Sequence, residues 1–335
     1  MQAAIFRGVG RPLSIETLPD PSPRKGELVL RIGRCGICGS DLRCTSGDGF
    51  LYPLGSVVGH EFSGEVVAVG KGVDHYRIGD RVASPAWTSC GACESCVSGN
   101  PLWCHVGVLA VGGGAQYAVV QASLSVKLPA SVSFADGALI EPLACALHSV
   151  RASGVRAGAR VLILGAGPIG LAVGFWARRM GAEHVVICAR SGRNEHRARA
   201  LAATDFLLAH EVAGQLKACL GGAPPNVVFD CVGAPDMIAE AIDLVGPRGT
   251  VIVVGACKGT DRFLPSALLT KEVLVRGSLG FDLSEFRIVA DTLDKGAVEP
   301  HIMITHTVSL EALPDAFEAL RSPTDQCKVV IDPWA

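Results

Sequence analysis

The stretch VLILGAGPIG, residues 161–170, decides the fold of this 335-residue chain. Four apolar residues typical of a buried strand are followed at once by Gly165, Gly167 and Gly170, in the spacing G-x-G-x-x-G. Between a strand and a helix, the first glycine allows a tight turn, the second lets the backbone approach a pyrophosphate, and the third lets helix and strand pack closely. The stretch therefore predicts a dinucleotide-binding loop.

The residues that follow suit a helix start. Pro168 fits the first helical position, where no backbone donor is needed. The free amides of this first turn, that of Ile169 included, together with the positive end of the helix dipole, can bind phosphate. A tight βα turn without any ligand is the alternative.

Outward from this stretch, the chain shows two kinds of sequence. From residue 144 to 281, apolar strand-like runs alternate with helical patterns, which predicts βαβ units and a doubly wound parallel sheet. From residue 1 to 143, short β-like runs are broken by Gly and Pro, which predicts an irregular, mostly antiparallel domain. Residues 282–335 have no place in a finished Rossmann sheet, so we expect them to fold back onto the first domain. The predicted fold class is α/β with two domains.

The turn after the next apolar run indicates which dinucleotide is bound. An acidic side chain that binds the adenosine ribose is expected about 20 residues past the glycines, and Ala189 stands there instead. Arg190, Ser191 and Arg193 follow, and they would meet a 2′-phosphate with hydrogen-bond donors. We therefore expect NADP(H) in preference to NAD(H). A solvated basic helix start is the alternative.

Composition limits the classes of function. The formal net charge is −2 at pH 7, so no global field recruits nucleic acid or an anionic membrane. No uncharged run reaches the roughly 20 apolar residues that span a bilayer, and residues 1–13 lack the apolar core of a signal peptide. We therefore expect a cytoplasmic protein. In a reducing compartment, clustered cysteines among the 13 present usually bind metal or do redox chemistry.

Four cysteines follow the spacing C-x2-C-x2-C-x7-C, namely Cys90, Cys93, Cys96 and Cys104. Thiolates this close on tight turns can complete the closed tetrahedral sphere of structural zinc. A zinc ribbon that binds nucleic acid would need basic neighbours, yet residues 82–126 contain neither Lys nor Arg. We predict a structural zinc ion that fastens a long loop. An iron–sulfur cluster, which uses the same ligand type, is the alternative.

A second set of metal-ligand types lies in the first domain. Cys38, His60 and Glu61 come from the motifs CGICGSD and GHE, and they are the thiolate, imidazole and carboxylate that an open catalytic zinc site uses. Glu141, in the motif IEPLA, is a further candidate. Each residue alone has a structural explanation, such as a core cysteine or a strand end. Together, and beside a nucleotide loop, they predict metal binding.

These motifs occur in a family order, together with GEVVAVG and GDRV. The chain resembles the zinc-containing medium-chain dehydrogenase/reductase superfamily over essentially its whole length, and most of all the polyol (sorbitol-like) and threonine dehydrogenase branch. The resemblance implies a GroES-like, mostly β catalytic domain at 1–143 and a Rossmann NADP-binding domain at 144–281. Residues 282–335 would then return to the catalytic domain.

The resemblance also implies roles for single residues. Two zinc ions per subunit are expected, one structural and one catalytic. Cys38, His60 and Glu141 take the positions of catalytic zinc ligands, and Glu61 is the carboxylate that ligates or exchanges with water. Ser40 falls where the family keeps a hydroxyl that passes on the proton of the alcohol.

On the cofactor side, the family comparison implies that backbone around Val232, Gly255 and Leu279 lines the nicotinamide. Family members are commonly homodimers or homotetramers. The run EVLVRGSL, residues 272–279, is a candidate edge for pairing across an interface.

Departures from the family bear on the substrate. Arg43 replaces a histidine of the outer proton relay, and a guanidinium cannot shuttle a proton. Gly280 stands where polyol dehydrogenases tend to carry an arginine that grips sugar hydroxyls. Phe50, Trp87 and Leu109 are candidate apolar liners, which favours a less polar substrate.

We therefore expect a zinc-dependent oxidoreductase that transfers a hydride between NADP(H) and a secondary alcohol or ketone, a small-molecule substrate, with no nucleic-acid or membrane partner. An NAD-dependent polyol or threonine dehydrogenase is the alternative. A catalytically silent nucleotide-binding protein is a more remote one.

Overall fold

The computed structural model describes residues 1–47, 51–109, 112–297, 299–322 and 325–335. Phe50, one of the expected pocket liners, lies outside the described residues. The chain divides into two compact units, the first made of Met1–Glu141 and Phe281–Ala335, and the second of Pro142–Gly280.

The beginning of the chain folds into short strands with few helices. Its strands are β1 (Gln2–Ile5), β2 (Ser14–Thr17), β3 (Glu27–Gly36), β4 (Glu61–Val69), β5 (Arg81–Pro85), β6 (Tyr117–Gln121) and β7 (Val126–Lys127). Its helices are α1 (Gly39–Cys44), α2 (Glu94–Val97) and α3 (Phe134–Ala138), with 3₁₀ turns at Pro101–Trp103 and Ala122–Leu124.

Strands and helices then alternate along the second unit. The strands are β8 (Arg160–Leu164), β9 (His184–Ala189), β10 (Asp205–Leu208), β11 (Val227–Asp230), β12 (Thr250–Val253) and β13 (Leu274–Gly277). The helices are α4 (Ile140–Ser153), α5 (Pro168–Arg179), α6 (Glu195–Ala200), α7 (Val212–Cys219), α8 (Met237–Leu244) and α9 (Pro265–Lys271), with 3₁₀ turns at Gly192–Asn194 and Ala209–Glu211.

The tail returns to the first unit. Its elements are α10 (Leu283–Asp294), a 3₁₀ turn at Glu299–Met303, β14 (Ile304–Ser309), α11 (Leu313–Ala319) and β15 (Lys328–Asp332).

The second unit, whose residues are all described, contains one six-stranded sheet in the order β10-β9-β8-β11-β12-β13, and every neighbouring pair is parallel. The chain moves from β8 outward on one side and then returns to place β11 on the other side, which is the doubly wound arrangement. Strands β8 and β11 are buried over nearly their whole length, as expected when helices cover both faces of a parallel sheet. The Rossmann prediction is confirmed.

The main sheet of the first unit is mostly antiparallel. Among the described residues it runs β14-β15-β3-β4-β5-β7, with β6 also paired to β3. Only the tail strands β14 and β15 pair with each other in parallel within this sheet as described. The prediction of an irregular, largely antiparallel domain is confirmed.

Strand β15 carries the tail into this sheet. Ile331 on β15 pairs with Cys35 on β3, so the last strand lies beside the strand on which the CGICGSD motif begins. Phe317 and Ile331 are each 1% exposed and join the apolar core that contains Phe62. The tail is therefore part of the core of the first unit.

Trp334 closes this arrangement. Its Nε1 donates to the carbonyl of Ile32 at 2.8 Å, and the guanidinium of Arg31 lies 4.0 Å from its ring centroid.

Within the described part of the chain, no helix combines the length and the apolar character that crossing a bilayer requires.

Candidate metal centre and dinucleotide site

Strand pairing brings the ligands of the first site together. Gly36 on β3 pairs with Glu61 on β4, so Cys38, just past β3, lies near His60, just before β4. The ligand atoms of Cys38, His60 and Glu61 all lie within 4.8 Å of one another. A thiolate, an imidazole and a carboxylate at this separation fit one zinc ion.

Glycine precedes His60 for a steric reason. Gly59 has a φ of +91°, and a Cβ there would lie 2.7 Å from Cys35 Sγ and 2.9 Å from the backbone nitrogen of Gly114. Gly114 is equally confined, because its own Cβ would lie 2.9 Å from the carbonyl oxygen of Val58. The first residue of the GHE motif thus sets the close packing that places His60.

Asp41 positions two of the candidate ligands. The side chain is 1% exposed, and its Oδ2 accepts from the backbone N–H of Cys38 at 3.0 Å. Its Oδ1 accepts from the hydroxyl of Tyr52 at 2.5 Å and lies 3.0 Å from Nδ1 of His60. Because a carboxylate is only an acceptor, Nδ1 carries the proton and Nε2 is the ring nitrogen left for a metal.

The contact between Asp41 and His60 reverses the effect of burial on both groups. Burial alone raises the pKa of Asp41, but the charge and hydrogen bond of His60 and the bonds from Tyr52 and Cys38 bring that pKa below its ordinary value. Burial alone lowers the pKa of His60, but Asp41 raises that pKa well above its ordinary value. A proton on His60 would therefore compete with a metal ion at this position, and metal affinity would rise with pH.

Glu61 is held by an ion pair with the tail. Its side chain is fully buried, and its two oxygens lie 2.7 and 2.6 Å from Nζ of Lys328 at the start of β15. The same ammonium donates to the carbonyl of Ile37 at 3.1 Å. Burial lowers the pKa of Lys328, but the charges of Glu61 and Cys38 outweigh burial and raise that pKa above its ordinary value. Lys328 therefore stays charged beside the candidate metal ligands.

Of the other two predicted site residues, Ser40 contacts the cluster of Cys38, His60 and Glu61, whereas Glu141 lies outside it. The Oγ of Ser40 lies 3.4 Å from Nε2 of His60, next to the nitrogen that faces the metal position. Glu141, the second residue of α4, lies outside the group whose ligand atoms are within 4.8 Å. Its charge still contributes to the raised pKa of Lys328, so Glu141 acts on the field of the site.

The four cysteines of the second motif form their own cluster. The ligand atoms of Cys90, Cys93, Cys96 and Cys104 lie within 4.8 Å of one another, and the sulfur of Cys96 is 3.9 Å from that of Cys90 and 3.5 Å from that of Cys93. A disulfide needs a separation of about 2.05 Å. Thiolates about 2.3 Å from one zinc ion are about 3.8 Å apart, so the cluster fits zinc.

Backbone N–H groups lower the pKa of two thiols in this cluster, which favours the thiolates that bind a cation. The N–H groups of Ala92 and Cys93 point at the sulfur of Cys90 and lower its pKa to about 6. The N–H of Cys90 likewise lowers the pKa of Cys104. Desolvation raises the pKa of Cys96 to about 11. Because at least one thiolate forms readily near neutral pH, the donors match a structural metal.

The glycine loop has the geometry that its spacing predicts. Gly165 has a φ of +105° and its N–H donates to the carbonyl of Cys188 at 2.8 Å, which joins the loop to β9. A Cβ at Gly170 would lie 1.9 Å from the carbonyl oxygen of Gly165, so only glycine allows this packing. A Cβ at Gly167 would meet nothing within 4 Å, so open space faces the start of α5. That space fits a pyrophosphate.

The remaining cofactor candidates follow the ends of the parallel strands. Each of the following stands one or two residues past β8, β9, β11, β12 or β13: Gly165, Arg190, Val232, Gly255 and Leu279. The carboxyl edge of such a sheet is where dinucleotides bind. The structure therefore gathers these residues at one edge of the second unit.

Two of these loops are fixed by buried contacts. Asp230 is 1% exposed, and its Oδ1 accepts from the backbone N–H groups of Val232 and Gly233 at 2.9 and 3.0 Å. A Cβ on Gly255 would lie 2.2 Å from the nitrogen of Gly233, so the loops after β11 and β12 touch through glycine. The backbone around Val232 and Gly255 is thereby held in one conformation.

The turn after β9 presents basic side chains. Arg190 and Arg193 are exposed, and Nε of Arg193 donates to Oγ of Ser191 at 3.0 Å. Guanidinium and hydroxyl groups arranged in this way suit a phosphate. Pro168 and Ile169, in the first turn of α5, are half-buried.

Three residues of the metal centre were missed by sequence reasoning, namely Asp41, Tyr52 and Lys328. Asp41 stands in the quoted motif CGICGSD, three residues past Cys38, where a helix-start acid is expected to turn back on its own backbone. Lys328 is a lone cation at the start of the last apolar run, and such a residue indicates a buried partner. Tyr52 carries no comparable signal.

Of the expected apolar liners within the described residues, Trp87 and Leu109 form an isolated β-bridge with each other. The indole of Trp87 donates to the carbonyl of Pro101 at 2.8 Å.

Gly280, the position at which polyol dehydrogenases tend to carry an arginine, has a φ of +63°. Residues with a side chain rarely adopt this conformation.

Comparison with known families decides the identity of the chain. Residues 24–130 match the alcohol dehydrogenase GroES-like domain, and residues 168–295 match the zinc-binding dehydrogenase domain. L-galactonate-5-dehydrogenase of Escherichia coli K12 is 32% identical over 89% of each chain.

The chain belongs to the zinc-containing medium-chain dehydrogenase/reductase superfamily. It is an oxidoreductase that acts on alcohols, on the polyol-dehydrogenase-like side of that superfamily. The GroES-like and Rossmann predictions are both confirmed.

Two solved structures share the fold of this dehydrogenase over nearly the whole chain. A zinc-binding dehydrogenase of Sinorhizobium meliloti 1021 bound to NADP is 30% identical, with a TM-score of 0.89 and 99% of each chain covered. An alcohol dehydrogenase of Escherichia coli CFT073 complexed with NADH is 28% identical, with a TM-score of 0.90 and the same coverage. The family therefore supports a nicotinamide cofactor without deciding between the two forms.

The glycine loop yields a paired prediction. Gly170→Ala forces a backbone clash and is expected to lower the free energy of unfolding by at least about 2 kcal/mol. Gly167→Ala adds its methyl to open space and costs less than about 1 kcal/mol, but it weakens dinucleotide binding at least tenfold by filling the phosphate cradle. Thermal unfolding and cofactor titration measure both effects. Equal stability of the two variants would contradict the geometry.

The buried ion pair yields a second prediction, measured on the metal-free protein. Lys328→Met leaves the carboxylate of Glu61 buried without its partner and is expected to cost about 3 to 5 kcal/mol of unfolding free energy. The double variant Glu61→Gln with Lys328→Met restores much of that loss, because no unpaired charge remains. Arg199→Met, which removes an exposed pair with Glu195, is the matched control and costs less than about 1 kcal/mol. A loss no larger than that of the control would contradict the role of Lys328.

Proposed function

We propose that this dehydrogenase converts a secondary alcohol and NADP⁺ into a ketone, NADPH and a proton, and the reverse, with one catalytic and one structural zinc ion per subunit. The observation that carries the proposal is the cluster of Cys38, His60 and Glu61 within 4.8 Å, in a chain that also holds a glycine loop open to a pyrophosphate. A silent nucleotide-binding protein has no use for such a cluster.

Cys38 and His60 would hold the catalytic ion, with Glu61 as the exchangeable carboxylate and Glu141 as a further ligand candidate. Bound zinc supplies a Lewis acid that acidifies the substrate hydroxyl or polarises the substrate carbonyl. Cys90, Cys93, Cys96 and Cys104 would hold the structural ion, as their separations support.

The protein residues around the catalytic position have separate tasks. Asp41 keeps the proton of His60 on Nδ1, so Nε2 stays available as a ligand. Lys328 holds Glu61 in place and balances its charge. Ser40, whose Oγ lies 3.4 Å from Nε2 of His60, would relay the proton of the substrate hydroxyl, taking it up while passing its own hydroxyl proton toward the cofactor ribose.

The preference for NADP(H) is supported by the turn after β9. Ala189 supplies no carboxylate to bind an unmodified ribose or to repel a 2′-phosphate. Arg190, Ser191 and Arg193 offer donors in its place. The similar structure from Sinorhizobium meliloti is bound to NADP, which supports the same preference.

The proposed substrate is a secondary alcohol or ketone without a row of hydroxyls. Support comes from Gly280, which has no side chain to grip a sugar and whose left-handed backbone favours glycine. The apolar pair Trp87 and Leu109 adds to it. An NAD-dependent polyol dehydrogenase is the second candidate, and the likeness to L-galactonate-5-dehydrogenase favours it. A threonine dehydrogenase is the third.

The proposed assembly is a homodimer or homotetramer in the cytoplasm. Strand β13 lies at an edge of its sheet, and Leu274 on that strand is 57% exposed, which supports pairing with a second copy. No disulfide joins any two of the 13 cysteines, all of which lie in the described residues, and this suits a reducing compartment. Light scattering of the pure protein and cell fractionation test these two points.

The substrate and cofactor are tested together. A panel of secondary alcohols, diols and polyols, followed by nicotinamide absorbance, should give its highest kcat/KM with a secondary alcohol and NADP⁺. We expect kcat/KM for NADP⁺ to exceed that for NAD⁺ at least tenfold, and the double variant Arg190→Ala with Arg193→Ala to remove most of the difference. Equal or better turnover with NAD⁺ would overturn the cofactor proposal, and preference for a polyol would overturn the substrate proposal.

Two cysteine variants separate the proposed metal roles. Cys38→Ser should abolish turnover while leaving the melting temperature close to that of the unmodified protein, because it disturbs a site for chemistry. Cys93→Ser should mainly lower the melting temperature or solubility, because it opens the loop that the structural ion fastens. Activity surviving Cys38→Ser, with equal loss of stability in both variants, would reverse the assignment.

A further inference from the structure

Asn194 connects two parts of the dinucleotide site that are far apart in sequence. Its side-chain amide donates to the carbonyl of Ala166, inside the glycine loop, at 2.8 Å. Its side-chain oxygen accepts from Nη1 of Arg197, on α6, at 2.7 Å. Asn194 itself ends the 3₁₀ turn that begins two residues after Arg190. One carboxamide therefore bridges the loop after β8 and the turn after β9.

The bond to Ala166 fixes the direction of a phosphate-facing amide. A peptide group is planar and trans, so the carbonyl of one residue and the N–H of the next point in opposite directions. When Asn194 holds the carbonyl of Ala166, the N–H of Gly167 is turned away from Asn194. Gly167 is the exposed N-cap of α5, beside the open space described above. Asn194 thus sets the orientation of a donor in the pyrophosphate cradle.

The other end of the bridge fixes the basic turn. Arg197 is half-buried and its guanidinium contacts Asn194, whereas Arg190 and Arg193 are exposed on the turn itself. The side-chain oxygen of Asn194 therefore holds Arg197 of α6, while the amide of the same side chain holds the glycine loop. Asn194 therefore links the loop to the turn by a side-chain contact, beside the backbone bond from Gly165 to Cys188 on β9.

We infer that Asn194 is a positioning residue that holds the pyrophosphate loop and the ribose-reading turn in one geometry, so that a single dinucleotide engages both at once. This inference rests on the proposed function only in taking a nicotinamide dinucleotide as the ligand. Two contacts made by one ligand reinforce each other only if their spacing matches the ligand, because the second contact then forms at high effective concentration. A fragment that reaches one contact gains nothing from the bridge.

The test compares whole dinucleotides with fragments. Dissociation constants for NADP⁺, NAD⁺, inorganic pyrophosphate and adenosine 2′-phosphate are measured by calorimetry on the unmodified protein and on Asn194→Ala and Asn194→Leu, the second of which keeps the side-chain volume. His196→Ala, which changes an exposed residue of α6 two positions away, is the matched control. Thermal unfolding of each variant runs alongside.

We expect both Asn194 variants to bind the preferred dinucleotide at least tenfold more weakly, and both fragments within twofold of the unmodified protein. His196→Ala should bind all four ligands normally. Unchanged dinucleotide binding would overturn the inference, and so would a parallel weakening of all four ligands with a lower melting temperature, which is the mark of a merely structural role.

The same data separate this inference from the proposed cofactor preference. If the unmodified protein binds NAD⁺ more tightly than NADP⁺, the NADP(H) proposal fails, and Asn194 is judged by the loss of NAD⁺ affinity instead. If the unmodified protein binds neither dinucleotide, both fail.

Discussion

The buried ion pair between Glu61 and Lys328 is the interaction on which the first unit depends. It joins β4, which carries a candidate metal ligand, to β15, the last strand of the chain, and the same ammonium reaches the carbonyl of Ile37 beside Cys38. A buried carboxylate without this cation would be costly, and a buried cation without the carboxylate equally so. The site can therefore form only when the tail has folded back. The arrangement of the candidate ligands thus depends on both the first and the last segment of the first unit.

The geometry of the glycine loop could be predicted almost completely from the sequence, because its requirements are local. Gly165, Gly167 and Gly170 act within ten residues of a strand and a helix, and each missing side chain has a steric cause that the structure shows. The doubly wound sheet follows from the same alternation of buried strands and helices. The four-cysteine cluster is also local, since one short loop supplies every ligand.

The candidate metal centre could be predicted only in part, because its geometry depends on contacts between distant segments. Cys38, His60 and Glu61 were found from motifs, but the pairing of Glu61 with Lys328 spans more than 260 residues and no local pattern reports it. Glu141, assigned from family order, lies outside the tight ligand group. Spacing identifies ligand types, whereas strand register decides which of them meet.

The proposed chemistry requires that Cys38, His60 and Glu61 hold a metal ion of their own. The most direct measurement is anomalous diffraction at the zinc edge from crystals of the purified, active enzyme. Two peaks per subunit are predicted, one within the four-cysteine loop and one within bonding distance of Cys38 Sγ and His60 Nε2. An active enzyme with a single peak, confined to the four-cysteine loop, would contradict the claim.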